Sequence, residues 1–277
     1  MKHPFSTCLL TNGSQRSEII CKRLAEKSFK LDYIVHTLPL SWLECKSRYK
    51  NLNILNPLNI IRVTRMWLTN NLRKKSIRNH FLQYSQAVHF SEKLNGSSMQ
   101  QLLTLLNIDF LIIGDAGILQ QPVIESARIG VLNSHPALLP FARGTGVVGR
   151  SLERGIAAGA SIYYVNSGID EGDIINRRLV DASLPFYSLQ EVEMKADTLA
   201  LDLLVETITE EIGKGKIPIR LGQSKKFKYC RWLDEMERKV MDQQVKEGQP
   251  AMLFSKWKPL CKPGTFDLLD ETMEMVQ

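Results

Sequence analysis

The sequence predicts an α/β protein with an open, mostly parallel, Rossmann-like sheet and helices on both of its faces. Short apolar runs alternate with segments of helical spacing near the amino terminus, as in a βαβ unit. The run 109–114 is almost continuously apolar, which is typical of a parallel strand buried on both faces. Further on, an Asn, a His and an Asp stand at the edges of apolar, strand-like runs.

Each element is predicted from its local pattern. Asn12-Gly13-Ser14 makes a turn between the first strand and the first helix. Ser188 and Glu191 form a capping-box pattern at the start of the clearest helix. The predicted strands are 5–11, 31–36, 86–90, 109–114, 130–132, 160–165 and 173–180, and the predicted helices are 17–27, 98–106, 122–128, 145–158, 189–212 and 233–247.

The composition is that of an ordinary globular protein, with 44% hydrophobic and 23% charged residues in 277. No signal peptide is expected, and no uncharged apolar run reaches the roughly 18 residues of a membrane span. Five scattered cysteines without a Cys-x-x-Cys pattern indicate reduced thiols and no metal site. We therefore expect a cytoplasmic protein.

Residues 46–91 form an unusually basic region. They contain nine Lys and Arg residues and no Asp or Glu, whereas the whole chain has a net charge of +7. Apolar residues within the region recur at helix-like spacing. One interpretation is a helical insertion, at about 40–85, that attracts an anionic substrate such as a nucleotide-sugar, a phosphate ester or tRNA. The alternatives are a solvated helical excursion over the sheet and a helix on a membrane surface.

Three polar residues suggest chemistry. Asn133 and His135 leave the end of a short apolar strand, and residues two apart in a strand point the same way. An Asn amide can hold a developing oxyanion, a His moves protons near neutral pH, and an Asp such as Asp170 can orient the His. By itself an Asn-x-His is typical of a hydrogen-bonded turn, and an Asp between glycines is typical of a tight turn. Without an obvious Ser or Cys nucleophile, the set suits direct transfer of a carbonyl group to an amine.

The longer pattern resembles the folate-dependent formyltransferases, a family that includes the methionyl-tRNA, glycinamide-ribonucleotide and amino-sugar enzymes. The resemblance is carried by His135-Pro-x-Leu-Leu-Pro140, by Arg143-Gly144 and by Gly168-x-Asp-x-Gly-Asp-Ile-Ile175. It is specific from about Asp109 to Ile175. It implies the formyltransferase fold, with 10-formyltetrahydrofolate bound at the carboxyl ends of the strands.

The resemblance also assigns roles. Asn133 would polarise the formyl carbonyl, His135 would stabilise the tetrahedral intermediate or shuttle its proton, and Asp170 would hold the His or a water. The pterin would lie against Gly117-Ile118-Leu119 and Asn166-Ser167-Gly168-Ile169. Tyr163 stands where many members have a His. The chemistry requires no metal.

Substrate contacts are expected at Asn12, Gly13 and Ser14, because the amino terminus of a helix favours anions, although a strand–helix turn needs Gly and Ser anyway. Arg143 is expected either to contact substrate or to hold its loop. We divide the chain into a catalytic domain, 1–215, and a short C-terminal extension, 216–277. The extension is expected to cover the core, to build a substrate wall or to form a homodimer.

The predicted enzyme is a formyltransferase of one-carbon metabolism that acts on the primary amine of a small anionic acceptor such as an amino-sugar nucleotide. Formylation of methionyl-tRNA and hydrolysis of the formyl donor are the alternative reactions. A folate- or nucleotide-binding protein without catalysis, and a basic nucleic-acid adaptor, are alternatives of other classes.

Overall fold

The structure is a computed structural model that describes residues 3–38, 45–46, 56–183, 185–224, 227 and 229–262. Arg48 and Lys50 of the basic region, and Lys225, Lys226 and Lys228 of the extension, lie outside the described residues. The chain divides into two compact units, Met1–Val131 and Leu132–Gln277. The predicted division at residue 215 stays a prediction.

Strands and helices alternate from β1 to α4, as expected, and the bounds of all elements follow. The strands are β1 Thr7–Thr11, β2 Leu31–Thr37, β3 Ser85–Ser91, β4 Phe110–Asp115, β5 Gly130–His135, β6 Arg143–Gly144, β7 Gly159–Tyr164, β8 Ile174–Leu179 and β9 Tyr229–Cys230. The helices are α1 Gln15–Glu26, α2 Pro57–Phe81, α3 Ser97–Leu105, α4 Gln121–Ile124, α5 Val147–Glu153, α6 Leu189–Glu206, α7 Glu235–Lys246 and α8 Gln249–Trp257.

Seven strands form one sheet in the order β3-β2-β1-β4-β5-β7-β8. The pairings of β2 with β3, of β1 with β2 and of β1 with β4 are parallel. The pairings of β7 with β5 and with β8 are antiparallel. The short strands β6 and β9 pair in parallel as a separate two-stranded sheet. The predicted α/β fold with a mostly parallel sheet is confirmed.

A buried carboxylate ties together three strands of the first unit. Asp32 on β2 accepts hydrogen bonds from the Thr7 backbone amide (2.9 Å) on β1 and from the Gln86 side chain (2.8 Å) on β3. Buried carboxylates are costly unless they are hydrogen-bonded, so these contacts fix the register of the strands. The helix α1 that follows β1 is capped by the Ser14 side chain, which accepts from the Ser17 amide.

The second unit has a core to which its last helices contribute. Leu138 and Phe141, which follow β5, lie in one hydrophobic cluster with Leu253, Phe254 and Trp257 of α8. The indole Nε1 of Trp257 also donates to the Gly155 carbonyl (3.2 Å). The C-terminal extension therefore covers part of the core of this unit, which is one of the roles expected for it.

Several boundaries differ from the prediction for local reasons. The predicted helix 145–158 is shorter, since Gly146 and Gly155 adopt left-handed backbone angles on either side of α5. The predicted helix 233–247 ends before Gly248, as α7 does, but a further helix, α8, begins at Gln249, because proline is favoured in the first turn of a helix. Within the described part of the chain, no helix is long and apolar enough to cross a membrane.

Candidate active site

The strand pair β5–β7 places two of the predicted catalytic residues. In its register, Asn133 lies opposite Tyr163 and His135 lies opposite Ser161. His135 is buried, whereas Asn133 is partly accessible. The backbone after β5 is held by the Ser161 hydroxyl, which accepts from the Leu139 amide (2.9 Å) and donates to the Ala137 carbonyl (2.7 Å). The loop after the His is therefore fixed on the neighbouring strand.

A tight turn between β7 and β8 presents Asp170. Its φ is +53°, in the left-handed region that Asp tolerates better than most residues. A Cβ on Gly172 would lie 1.6 Å from the Tyr164 carbonyl oxygen, so only glycine fits there. The Gln223 side chain donates to the carbonyl oxygens of Asp170 (3.1 Å) and Gly172. The carboxylate consequently projects from a rigid turn.

The Asp170 carboxylate contacts three residues, Gly144, Tyr163 and His135. Its Oδ2 accepts from the Gly144 amide (2.9 Å), and its Oδ1 accepts from the Tyr163 hydroxyl (2.7 Å). The Nδ1 atom of His135 lies 3.7 Å from Oδ2, which is too long for a hydrogen bond. The Asn133 Nδ2 atom lies 2.9 Å from the Tyr163 hydroxyl. We call these five residues, Asn133, His135, Gly144, Tyr163 and Asp170, the Asp170 cluster.

The tautomer of His135 follows from its backbone contact. Its Nε2 atom lies 2.8 Å from the Ala142 carbonyl oxygen, and a carbonyl oxygen can only accept. Nε2 therefore carries the proton, and in the neutral ring Nδ1 has a lone pair that faces the carboxylate of Asp170. A proton that arrives at Nδ1 would turn the 3.7 Å approach into an ion pair.

The guanidinium group of Arg143 is buried and contacts other residues of the protein. Only 1% of the residue is exposed. Its Nη1 atom lies 3.0 Å from Glu171 Oε1, it donates to the Phe227 carbonyl, and it lies over the Tyr229 ring at 5.1 Å. These contacts favour the interpretation that Arg143 holds the loop around Asp170 over the interpretation that it contacts substrate.

A small cavity adjoins the Asp170 cluster. Its volume is about 280 Å³. One wall is the loop that follows β6 together with His135, and another is α6 with two carboxylates, Glu193 and Asp197. Trp232 of the C-terminal extension lies at its edge with two thirds of its surface exposed. The extension thus also lines this cavity, and its role as a substrate wall stays a prediction.

The predicted pterin contacts lie in two loops. Asn166–Ile169 directly precede Asp170, with the Asn166 side chain accepting from the Gly168 amide (3.0 Å) and Ile169 about half exposed. Gly117–Leu119 follow β4 in the first unit, where Asn95 donates to the Ile118 carbonyl (2.8 Å) and Ile118 is exposed. Each loop offers an accessible aliphatic side chain beside open backbone, which suits a flat heterocycle.

Asn12, Gly13 and Ser14 line a larger cavity, of about 520 Å³, within the first unit. Its other wall is α2, which contributes Arg73 and His80 among other residues. His36 also lines this α1–α2 cavity. The residue is 3% exposed, and its Nδ1 atom has no hydrogen-bond partner among the described residues. Burial lowers the pKa of His36. In the part of the chain that the structure describes, no group of side chains could hold a metal ion.

Two side chains that donate hydrogen bonds to Asp170 were not predicted as functional. Tyr163 was noted only as a departure from the family pattern, and Gln223 lies in the extension, far along the sequence. The position of Tyr163 opposite Asn133 depends on strand register, which a single sequence does not display.

Comparison with known proteins identifies the family of this chain. The model of the formyl transferase family matches residues 65–208, slightly more than half of the chain. Among curated relatives, methionyl-tRNA formyltransferase of Thermotoga neapolitana is 31% identical over 131 residues, which is 47% of this chain and 41% of that protein. The Blochmanniella floridana protein of that name is 39% identical over 85 residues, 30% of this chain and 26% of its own length. The matched segment thus spans less than half of these relatives.

Solved structures share the fold at low sequence identity. A 4-N formyltransferase from Francisella tularensis has a TM-score of 0.54 at 14% identity, over 95% of this chain and 90% of that one. Glycinamide ribonucleotide transformylase 1 from Symbiobacterium toebii has a TM-score of 0.52 at 15% identity, over 80% and 95%. With the family match over more than half of its residues, this chain belongs to the formyl transferase family.

Proposed function

We propose that this protein transfers a formyl group from 10-formyltetrahydrofolate to the primary amine of a small anionic acceptor, such as an amino-sugar nucleotide. The observation that carries the proposal is the Asp170 cluster. It combines an amide donor, an imidazole with a lone pair on Nδ1 and a carboxylate, all fixed by hydrogen bonds. Family membership supports the formyl donor.

The chemistry requires an N–C bond to form and another to break. The acceptor amine attacks the formyl carbon, the bond from that carbon to the donor nitrogen breaks, and a proton passes from the amine to the donor nitrogen. Asn133 donates to the formyl oxygen as negative charge develops there, an effect worth about 10²–10³ in rate in other enzymes. His135 accepts the amine proton at Nδ1, and the carboxylate of Asp170 stabilises the resulting imidazolium.

The residues predicted to hold the donor fit a pterin. The turn Asn166–Ile169 and the loop Gly117–Leu119 combine accessible backbone groups with exposed Ile169 and Ile118. When bound, the folate supplies an activated formyl group, and each loop, taken by itself, offers backbone groups and one aliphatic side chain to its ring. Calorimetric titration with 5-formyltetrahydrofolate, a stable mimic of the donor, tests this assignment.

The acceptor is proposed to be small because the cavity beside the cluster holds about 280 Å³. Binding sites for small molecules in proteins run from about 300 Å³ upward, so this cavity suits the amine-bearing part of a sugar better than a macromolecule. For the first unit, taken by itself, we propose that the α1–α2 cavity attracts an anion. Its support is the α1 amino terminus at Asn12–Ser14 and the cations Arg73 and His80.

The similarity to methionyl-tRNA formyltransferases and the basic helix α2 favour a second candidate, the formylation of methionyl-tRNA. Binding of charged initiator tRNA would then weaken steeply with salt. An amino-sugar nucleotide would show a much shallower salt dependence, because it carries few charges.

The test is a formylation assay with a panel of amines. Wild-type protein is incubated with 10-formyltetrahydrofolate and one candidate amine at a time. The candidates are dTDP- and UDP-linked 4-amino sugars, glycinamide ribonucleotide and methionyl-tRNA. Mass spectrometry identifies the formamide product. We expect formylation of an amino-sugar nucleotide, and a loss of about 10²–10³ in kcat for Asn133→Ala. The matched control is Asn176→Ala. Asn176 lies on β8, and its side chain accepts a hydrogen bond from the Arg177 amide. Donor binding without transfer to any amine would contradict the proposal.

A further inference from the structure

We propose that Tyr163 is a positioning residue that decides which end of the Asn133 carboxamide faces the reacting carbonyl. The inference rests on the proposed function. Tyr163 links the amide to the carboxylate of the Asp170 cluster, with distances of 2.9 Å to Asn133 Nδ2 and 2.7 Å to Asp170 Oδ1. Both distances are normal for hydrogen bonds.

The direction of this chain of hydrogen bonds follows from counting protons. The Tyr163 hydroxyl has one proton, and an ionised carboxylate can only accept, so the hydroxyl donates to Asp170. The lone pairs of the hydroxyl oxygen then face Asn133. The amide must offer an N–H there, because its carbonyl oxygen would meet another acceptor. The negative charge of Asp170 thus selects one of the two flipped orientations of the Asn133 amide.

The selected orientation is the one that the proposed reaction needs. An Asn amide has two N–H groups, and Tyr163 uses one of them. The other N–H has no partner among the described residues and remains for the formyl oxygen. With the amide flipped, its carbonyl oxygen would replace an N–H at this position and would repel the developing oxyanion.

The phenol itself is held in place. Tyr163 is 3% exposed and packs in a hydrophobic cluster with Leu139 and Ile174. Its backbone lies in register with Asn133 on the neighbouring strand. The packing of the Tyr163 ring and its place on β7 therefore fix the hydroxyl group, and the hydroxyl group orients the Asn133 amide. Removing the hydroxyl should leave Asn133 in place but free to flip.

Spectroscopy tests the positioning directly, without any turnover. In protein labelled with ¹⁵N-asparagine, the side-chain amide signals of Asn133 are assigned by their absence in Asn133→Ala. We expect one Hδ2 signal shifted downfield and protected from hydrogen exchange in the wild type, and both features lost in Tyr163→Phe. Tyr164→Phe is the matched control, since Tyr164 is a buried neighbour on β7 whose hydroxyl donates to the Pro218 carbonyl (2.9 Å) instead. Unchanged Asn133 signals in Tyr163→Phe would overturn the proposal.

Kinetics supply the second test. We expect Tyr163→Phe to lower kcat by roughly 10- to 100-fold, because misplaced catalytic groups cost about that much, while both KM values change less than about twofold. Tyr164→Phe should keep wild-type kcat even if it lowers the melting temperature as much. An equal loss of kcat in both variants would reduce Tyr163 to a structural role.

A double-mutant cycle with Asp170→Asn tests the coupling of the carboxylate to the amide. The introduced amide can donate to the Tyr163 oxygen, which removes the preference for one orientation of Asn133. The effect of Tyr163→Phe on kcat should therefore fall below about threefold in the Asp170→Asn background. Full additivity would contradict the coupling. If the wild type transfers no formyl group to any amine, the proposed function is contradicted. The side-chain amide signals of Asn133 then still show whether Tyr163 orients that amide.

Discussion

The Asp170 cluster and the α1–α2 cavity are both polar, but they use their polar groups differently. In the cluster, amide, hydroxyl, imidazole and carboxylate are hydrogen-bonded to one another or to the backbone. In the cavity, a buried imidazole nitrogen of His36 has no hydrogen-bond partner in the part of the chain that the structure describes, and the cations lie on the largely exposed helix α2. The cluster is organised before any substrate arrives, whereas the cavity offers unused binding capacity.

Under the proposed function, this difference separates the groups that take part in the reaction from the groups that attract an anion. Groups that stabilise a developing charge must be fixed in advance, because reorganising them during the reaction would consume their effect. Groups that attract an anion need only charge and space. Substitutions in the cluster should therefore change kcat, and substitutions in the cavity should change KM.

The largest effect is expected for His135→Ala. Loss of a positioned proton acceptor should lower kcat about 10²–10⁴-fold, with KM values nearly unchanged. Steady-state kinetics with the amino-sugar nucleotide measure it, and His89→Ala on β3 is the control for losing a histidine. A kcat within threefold of wild type would remove His135 from the mechanism and erase the contrast between the two regions.

A smaller effect is expected for Arg73→Ala in the α1–α2 cavity. Partly exposed ion pairs contribute about 1 kcal/mol or less, so KM for the acceptor should rise at most about fivefold while kcat stays constant. The rise should shrink at high salt, because salt screens exposed charges. Arg62→Ala, on the same helix but outside the cavity lining, should leave KM unchanged. Equal effects of both substitutions would indicate general attraction by α2 rather than a site.

The smallest effect concerns pH and His36. Burial lowers the pKa of His36 in the folded protein, so the unfolded chain binds its proton more readily. Stability from this group is therefore present above the unfolded pKa of about 6.5 and is lost as pH falls through the range below it. Urea unfolding at pH 7.5 and 5.5 should show a smaller loss of stability in His36→Gln than in the wild type. Glu18, Arg73 and His80 line the same cavity and are retained in both proteins. Identical losses would mean that the imidazole is not desolvated.

Local patterns were sufficient for the parts of the site that depend on local geometry. Asn133 and His135 are two residues apart on one strand, and Asp170 lies in a glycine-bounded turn, so their local placement could be predicted from the sequence. The fold class followed from the alternation of apolar runs, and both the fold class and the family are confirmed.

Contacts between distant segments were not visible in this way. The hydrogen bond from Asn133 to Tyr163 depends on the register of two strands 30 residues apart. The contact of Gln223 with the turn at Asp170 crosses 53 residues. The predicted end of the helix 233–247 is confirmed, but the pattern gave no sign of the helix α8 that begins at Gln249, directly after Gly248.

The contact of Trp257 with the loop that follows β5 links the evolution of the C-terminal helices to that of the loop. Its ring packs edge-on against Phe141 at 5.5 Å, in the loop that carries the Ala142 carbonyl to His135. A change of volume at Trp257 would shift that loop, so the two positions should vary together among descendants of this chain. The extension should therefore be inherited together with the loop that contains Phe141, and recombination between them should produce few folded proteins.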